Sequence, residues 1–123
     1  MAKLKATPKN FAEALTALNG KQSMRLGNNT YLEQRKQPGD CLTERIAVRL
    51  HNTDIVVFYP SGRVTLYTGG YRTVTTKERI NHFVAGYVYQ KAHEWFYVYP
   101  TFMGGKDVSV SFEDGMFITN ENR

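Results

Sequence analysis

A strict alternation of apolar and polar side chains runs through the middle of the sequence. In residues 45–50 the large apolar side chains are Ile46, Val48 and Leu50, and the positions between them hold Arg45, the small Ala47 and Arg49. Successive side chains of a β-strand point to opposite faces of the sheet. This spacing therefore predicts a strand with one apolar face and one basic face.

Two further strands are predicted directly after this one. Residues 55–59 and 64–68 are rich in apolar and β-branched side chains, and the turn sequence Pro60-Ser-Gly-Arg63 separates them. Such short connections favour an antiparallel meander, in which one face is packed on the core and the other is solvated. The predicted outward face carries four polar residues: Arg45, Arg49, Arg63 and Tyr67.

Patterns on either side of the meander complete an α+β fold. Asn10 and Glu13 stand at capping-box spacing before a predicted helix over residues 11–18, and Thr75 is the predicted cap of a second helix over 76–85. The remaining predicted strands are a hairpin over 24–35, the segments 87–89 and 95–99, and a final hairpin of 108–112 with 116–118. We therefore predict a small antiparallel sheet of about six to eight strands with two helices.

The length of 123 residues predicts one domain, 1–123. We expect residues 1–9 and 119–123 to be flexible, together with the polar loop 36–42. Cys41 is the single cysteine, which excludes an intrachain disulfide, and no apolar stretch is long enough to cross a bilayer. These features predict a location in the cytoplasm.

Positive charge is concentrated in the front two-thirds of the chain. Residues 1–79 hold 13 basic and 6 acidic side chains, whereas the remainder holds 3 and 5. This asymmetry is typical of a protein with an anionic partner, although a solvated basic surface has the same composition.

Candidate catalytic groups are few. His51 and Asp54 could form a proton-transfer pair in a small hydrolase or nuclease, but the sequence His51-Asn-Thr-Asp54 is also what a tight turn needs. His82 and His93 lack partners at metal-ligand spacing, and neither Gly-Gly pair forms a phosphate-binding loop, so we expect no metal and no cofactor. The sequence favours binding over catalysis.

Arginine and tyrosine interleaved on one sheet face are the clearest functional signal. Arginine binds phosphates and tyrosine offers a plane for base stacking, a combination that small sheets use for single strands. The predicted binding residues are Arg45, Arg49, Arg63, Tyr67, Tyr71 and Arg72. The alternative is an ordinary solvated sheet face.

The run of aromatic side chains from Trp95 to Tyr99 must be shielded from water by another part of the protein or by a partner. Either the second helix buries it, or part of it is a protein interface, in which case Trp95, Tyr97 and Tyr99 would be the contact residues. Together with residues 108–112, the run could then supply strands to a structural or oligomer-forming module, including a homo-oligomer.

Four sequence segments resemble a known group of proteins. They are Leu26-Gly-Asn-Asn-Thr-Tyr31, residues 46–54, Tyr59-Pro-Ser-Gly-Arg-Val64 and residues 68–81. Together they are similar to a family of small uncharacterised proteins of bacteriophages and mobile elements, and the resemblance covers about Leu26 to Tyr89. It implies a non-enzymatic accessory protein in the host cytoplasm that binds nucleic acid, or a host complex that handles it. An anti-defence inhibitor of the anti-CRISPR kind is one such protein. The resemblance assigns no role to any residue.

Overall fold

The computed structural model describes residues 4–37, 40–100 and 107–119, of which 36, 37 and 40–43 are described by their backbone alone. Two helices, α1 (Phe11–Leu18) and α2 (Val74–Asn81), accompany nine strands in these ranges. The strands are β1 (Ser23–Gly27), β2 (Thr30–Gln37), β3 (Asp40–Leu50), β4 (Thr53–Phe58), β5 (Arg63–Leu66), β6 (Tyr87–Lys91), β7 (Glu94–Tyr99), β8 (Val108–Ser111) and β9 (Met116–Thr119). The predicted α+β class with antiparallel strands is confirmed.

The nine strands form two sheets. The large sheet has the order β1-β2-β3-β4-β5-β9 and the small sheet the order β6-β7-β8, with every neighbouring pair antiparallel. The predicted meander is confirmed as β3-β4-β5, and the predicted hairpin before it is β1-β2. The large sheet is thus built from consecutive strands except at its β9 edge.

The core lies between the inner face of the large sheet and a layer made of the two helices and the small sheet. Ile46, Val48 and Leu66 belong to the inner face, and all three are buried. The residues that meet them from the other layer include Ala14, Leu18, Ile80, Phe83, Val88, Trp95 and Tyr97. One apolar cluster therefore joins both sheets and both helices.

Helix α1 begins as its sequence predicts. The side chain of Asn10 accepts a hydrogen bond from the backbone N–H of Glu13 at 2.8 Å, and the Glu13 carboxylate accepts one from the backbone N–H of Lys9 at 3.0 Å. The helix ends at Leu18, and the residue after it, Asn19, has a φ of 50°, the left-handed conformation common at helix C-termini.

Helix α2 begins and ends earlier than predicted. Thr73, not Thr75, is the N-cap, and its hydroxyl accepts from the backbone N–H of Thr76 at 3.1 Å. The helix stops at Asn81, after which Phe83 and Val84 enter the core from a turn rather than from the helix. The predicted range 76–85 is corrected because apolar spacing alone does not distinguish the last helical turn from a buried turn.

The predicted C-terminal hairpin is wrong. Strand β8 pairs with β7 in the small sheet, whereas β9 pairs with β5 in the large sheet. The turn between them is redirected by Asp114, whose carboxylate accepts from the hydroxyl of Thr68 at 2.8 Å and from the backbone N–H of Gly69 at 3.0 Å. The backbone N–H of Gly115 then donates to the carbonyl of Leu66 at 2.7 Å, which starts the pairing of β9 with β5.

The segments predicted to be flexible include residues that pair with strands or pack against the core. The backbone N–H of Lys5 donates to the carbonyl of Leu26 at 2.9 Å, and Leu4 and Ala6 pack against the core. Strands β2 and β3 extend through most of the predicted loop 36–42, while residues 38 and 39 lie outside the described residues. At the other end Thr119 belongs to β9, and residues 1–3 and 120–123 lie outside the described ranges.

Candidate nucleic-acid interface

The side of the large sheet opposite the core is here called the outer face. Register places Ala47, Val57, Thr65 and Phe117 in one row across β3, β4, β5 and β9 on this face. The larger side chains around that row are Arg25, Tyr31, Glu33, Arg35, Arg45, Arg49, Asp54, Tyr59, Arg63 and Tyr67. The structure thus brings four predicted binding residues, Arg45, Arg49, Arg63 and Tyr67, to one surface.

Four charged side chains of the outer face form one ion-pair network. Glu33 binds Arg35 at 2.6 Å and Arg49 at 2.9 Å, and Arg35 also binds Asp54 at 2.8 Å. Arg49 and Arg35 each place two nitrogens against one carboxylate, on Glu33 and Asp54 respectively. Such paired hydrogen bonds fix the plane of a guanidinium as well as its position.

The network favours the charged forms of Glu33, Arg35 and Arg49. The hydrogen bond from Arg49 lowers the pKa of Glu33 from 4.5 to about 2, against the opposing effect of burial and with help from Arg35. The bond to Asp54 raises the pKa of Arg35, and the bond to Glu33 raises that of Arg49. Two cations and two anions cancel, so the network gives the face rigidity without net charge.

Three further arginines lie on the outer face. Arg25 donates to the carbonyl of Gly27 and to the Asn28 side chain, each at 3.2 Å. Arg63 lies over the ring of Phe117, 4.4 Å from its centroid, and Arg45 lines the groove described below. These three guanidinium groups add positive charge to the described part of the outer face, and the carboxylate of Asp114 at the groove adds a negative one.

Aromatic rings accompany the arginines. Arg49 lies over the Tyr31 ring at 4.6 Å from the centroid, and Phe117 leaves 57% of its surface exposed. Tyr59 and Tyr67 alternate with buried residues of β4 and β5 and are half-buried. Rings beside guanidinium groups are the arrangement with which proteins hold both bases and phosphates.

A groove of about 650 Å³ runs along β4 on the outer face. Its lining residues are Arg45, Asn52, Thr53, Asp54, Val57, Tyr59, Tyr67, Gly69 and Asp114. Val57 is buried at the centre of the groove, and its row neighbours Ala47 and Thr65 are also buried. These short side chains keep the floor low while tyrosines and charged groups form the walls.

Two predicted binding residues lie elsewhere. The guanidinium of Arg72 lies over Trp95 and Phe112, at 5.7 and 5.3 Å from the ring centroids, and therefore belongs to the side of the molecule that carries the small sheet. Tyr71 is 68% exposed and lines a second cavity, outside the groove. Tyr71 and Arg72 follow Tyr67 closely in sequence but do not share its side of the sheet. The chain turns between them at Gly69 and Gly70, both with positive φ.

His51 and Asp54 line different cavities. His51 lies at the second cavity, which has a volume of about 480 Å³, and its backbone has a φ of 55° in the β3–β4 turn. The carboxylate of Asp54 faces the groove and accepts from Arg35. A hydrolase or nuclease would require the two side chains to converge in one cleft, and they do not.

The predicted aromatic interface is corrected at two of its three residues. Trp95 and Tyr97 are 3% and 0% exposed, because alternate residues of β7 point into the core beneath α2. Tyr99 is half-buried, and its hydroxyl donates to the carbonyl of Phe117 at 3.3 Å. The rings on the opposite face of the small sheet are instead Tyr87, Tyr89 and Phe96.

Sequence reasoning missed several residues of the outer face. Glu33 and Arg35 alternate with buried Leu32, and Phe117 alternates with buried Ile118, so the two-residue period was the available signal. Tyr59 follows the same rule after buried Phe58.

The side chain of Cys41 lies outside what the structure describes. No helix in the described ranges has the length and apolar character to span a membrane.

Comparison with known proteins places the chain in a family. The model of the Kyanoviridae Gp96 protein family matches residues 7–119. The chain belongs to this family. The Kyanoviridae Gp96 proteins are bacteriophage proteins, which confirms the phage origin implied by the sequence motifs, and the match includes α1 and β9 and so extends beyond the 26–89 range of the resemblance. No curated protein and no solved structure matches the chain.

Proposed function

We propose that this phage protein binds nucleic acid through the outer face, with arginines on phosphates and aromatic rings against bases. The observation that carries the proposal is that Arg25, Arg45 and Arg63 lie on the face that also presents Tyr59, Tyr67 and Phe117. Phosphate contacts supply most of the affinity of such surfaces, and aromatic side chains add stacking that tolerates any sequence.

The ion-pair network supports this function without carrying it. Glu33 and Asp54 neutralise Arg35 and Arg49, so these two guanidinium groups add little net attraction for a polyanion. The two paired guanidinium groups instead form a polar surface of fixed geometry between Arg25 on β1 and Arg45 on β3. The electrostatic attraction is therefore expected from about three cations, a modest number for a nucleic-acid site.

Salt titration tests the proposal. Fluorescence anisotropy of labelled DNA and RNA oligonucleotides should show binding that weakens as salt rises, because each neutralised phosphate releases counterions. Three phosphate contacts give an expected slope of log K against log salt of about −2 for single strands. Absence of binding to every oligonucleotide at low salt would exclude the proposal.

Charge reversal locates the surface. Arg45→Glu and Arg63→Glu should each weaken binding and reduce the salt slope by about 0.7 or more, since each removes one phosphate contact. Lys91→Glu is the matched control, because Lys91 is exposed at the end of β6 on the small sheet and the same change of charge occurs there. Equal losses in all three variants would indicate an effect of total charge and would contradict a site on the outer face.

This activity would also account for an anti-defence role of the kind implied by the sequence resemblance. A phage protein in the host cytoplasm that covers nucleic acid competes with host complexes that must bind the same strand. The inhibition would then disappear in the Arg45→Glu and Arg63→Glu variants together with the binding. Inhibition that survives the loss of binding would instead indicate a direct protein target.

A further inference from the structure

We infer that the groove along β4 selects single-stranded nucleic acid and seats two bases, one against Tyr59 and one against Tyr67. The inference rests on the proposed function, because the strand must first be held by the arginines of the outer face. It adds the form of nucleic acid and the two stacking residues to that proposal.

The two tyrosines stand at opposite ends of the groove. The backbone N–H of Tyr67 donates to the carbonyl of Ile55 at 2.9 Å, which places Tyr67 beside the start of β4, whereas Tyr59 directly follows its end. Four residues of extended chain separate these levels, a distance of about 13 Å along the strand. Val57, lying between them, is too short to block a ligand that runs from one ring to the other.

The charges of the groove give the strand a direction. Arg45 and Tyr59 lie toward one end of the groove, and Asp114 lies toward the Tyr67 end together with Asp54, which is paired with Arg35. A phosphate is attracted to the first end, and the carboxylate of Asp114 repels it from the second. The Tyr67 end therefore suits a base, whose N–H groups can donate to carboxylate oxygens that each keep a free lone pair.

Those carboxylates are already held in place for such contacts. Asp54 accepts from Arg35 and Asp114 from Thr68 and Gly69, so neither needs to reorganise. A base in a duplex is stacked on its neighbours and paired along its donor edge, and it offers neither a face to Tyr67 nor an N–H to the carboxylates. The groove therefore distinguishes single strands from duplexes, which a flat basic surface does not.

The test compares one sequence in two forms. A labelled 12-nucleotide single strand and a hairpin duplex of the same sequence are titrated at one salt concentration, and we expect the single strand to bind at least about tenfold more tightly, from one to two stacked bases. Tyr59→Ala and Tyr67→Ala should each weaken single-strand binding by about 5- to 100-fold. The salt slope should stay unchanged, because no phosphate contact is lost.

Two controls separate stacking from damage to the fold. Tyr59→Phe and Tyr67→Phe keep the rings and should bind as the unmodified protein does. Tyr87→Ala removes a tyrosine that is 48% exposed on the small sheet, and it should leave binding unchanged.

The outcomes distinguish this inference from the proposal on which it rests. Salt-dependent binding with equal affinity for both forms, or with no effect of the Tyr59 and Tyr67 variants, would overturn the inference and leave the proposed function standing. Absence of salt-dependent binding would overturn both.

Discussion

Glu33 is the residue that organises the outer face. It is the common partner of Arg35 and Arg49, and those two arginines come from β2 itself and from the neighbouring β3. Its carboxylate is mostly shielded from water, as are both guanidinium groups. Removing it would leave two cations side by side with Asp54 as their remaining partner in the network.

The stability of the protein should therefore fall between pH 4.5 and pH 2. Because the pKa of Glu33 is lowered from 4.5 to about 2, the unfolded chain takes up this proton first as the pH falls. The contribution is complete above pH 4.5, is lost as the pH falls through that interval, and amounts to at most about 3 kcal/mol. Urea unfolding at pH 7, 4 and 3 measures it.

The variant Glu33→Gln separates this contribution from that of the other carboxylates. It should be less stable than the unmodified protein at pH 7, by about 1–3 kcal/mol, and should lose less stability on acidification. If both proteins lose the same free energy of unfolding between pH 4.5 and 3, the network is not the source of the pH dependence.

Gly86 permits a close approach between its own backbone and that of strand β7. A Cβ at this position would lie 1.8 Å from the carbonyl oxygen of Val98 and 2.9 Å from the hydroxyl of Tyr97. We expect Gly86→Ala to reduce the free energy of unfolding by about 3 kcal/mol or more, because a backbone atom cannot move aside as a side chain can.

Gly70→Ala is the control for this prediction. Gly70 has a φ of 86° but open space around it, so alanine there should cost only about 1–2 kcal/mol of backbone strain. Thermal or urea unfolding of the two variants compares the loss of stability caused by the steric clash at Gly86 with the loss caused by backbone strain at Gly70. A smaller loss for Gly86→Ala than for Gly70→Ala would contradict the packing described here.

Among the secondary-structure elements, α2 is joined to the backbone of β6 by the side chain of Asn81. The amide of Asn81 at the end of α2 donates to the carbonyl of Val88 at 3.0 Å and accepts from its backbone N–H at 2.6 Å. A strand neighbour would make the same two bonds. Asn81 thus pairs with β6 on the side that β7 does not occupy.

Replacing Asn81 by alanine should destabilise the protein by about 2–3 kcal/mol, because two partly buried backbone groups of Val88 would lose their partners. Asn81→Asp keeps the acceptor and loses the donor, so its loss should be intermediate at neutral pH. Urea unfolding provides the measurement, with Lys91→Ala at an exposed position of β6 as the control. Equal stability of Asn81→Ala and Lys91→Ala would show that this pairing contributes nothing.

At the level of elements, the sequence predicts where the strands lie well, but it predicts poorly which strands pair with one another. The period of two identified β3 and β5 and the orientation of their arginines, because side-chain alternation is a local property. Which strand β9 pairs with depends on Asp114 reaching Thr68 across the fold, and nothing in residues 108–118 encodes that contact locally. The same limit explains why Trp95 could equally be read as core or as interface.

Considered as a whole molecule, the two sheets share one core. Trp95 lies on the small sheet and belongs to the same apolar cluster as Ile46 and Val48 of the large sheet. We therefore expect a single cooperative unfolding transition. Tryptophan fluorescence, which reports on the small sheet, and far-ultraviolet circular dichroism, which reports on all strands, should give coincident urea curves.

Trp95 is the single tryptophan of the chain, so this comparison needs no labelling. A fluorescence transition at lower urea than the dichroism transition would show that the small sheet unfolds on its own. In that case the ring contact of Trp95 with Phe112 would be opened before the large sheet is lost.

The candidate site could be predicted in part at the scale of the whole molecule. Arg45, Arg49, Arg63 and Tyr67 share a face because one meander carries them, and this follows from register alone. Two further features depend on distances between strands. Glu33 and Asp54 neutralise two of the five arginines on the face, and short side chains form a groove. A count of charges in the sequence does not contain those distances.

The position of β9 at the edge of the large sheet bears on how the protein is made. During translation, β5 leaves the ribosome before residues 67–115 have been synthesised, and its outer edge waits for β9 through that whole interval. A nascent chain, or a product truncated before Met116, therefore displays the unsatisfied backbone groups of β5 to any other strand nearby. Such premature products would be substrates for host chaperones and proteases, and a complete chain would escape them only after its last strand has docked.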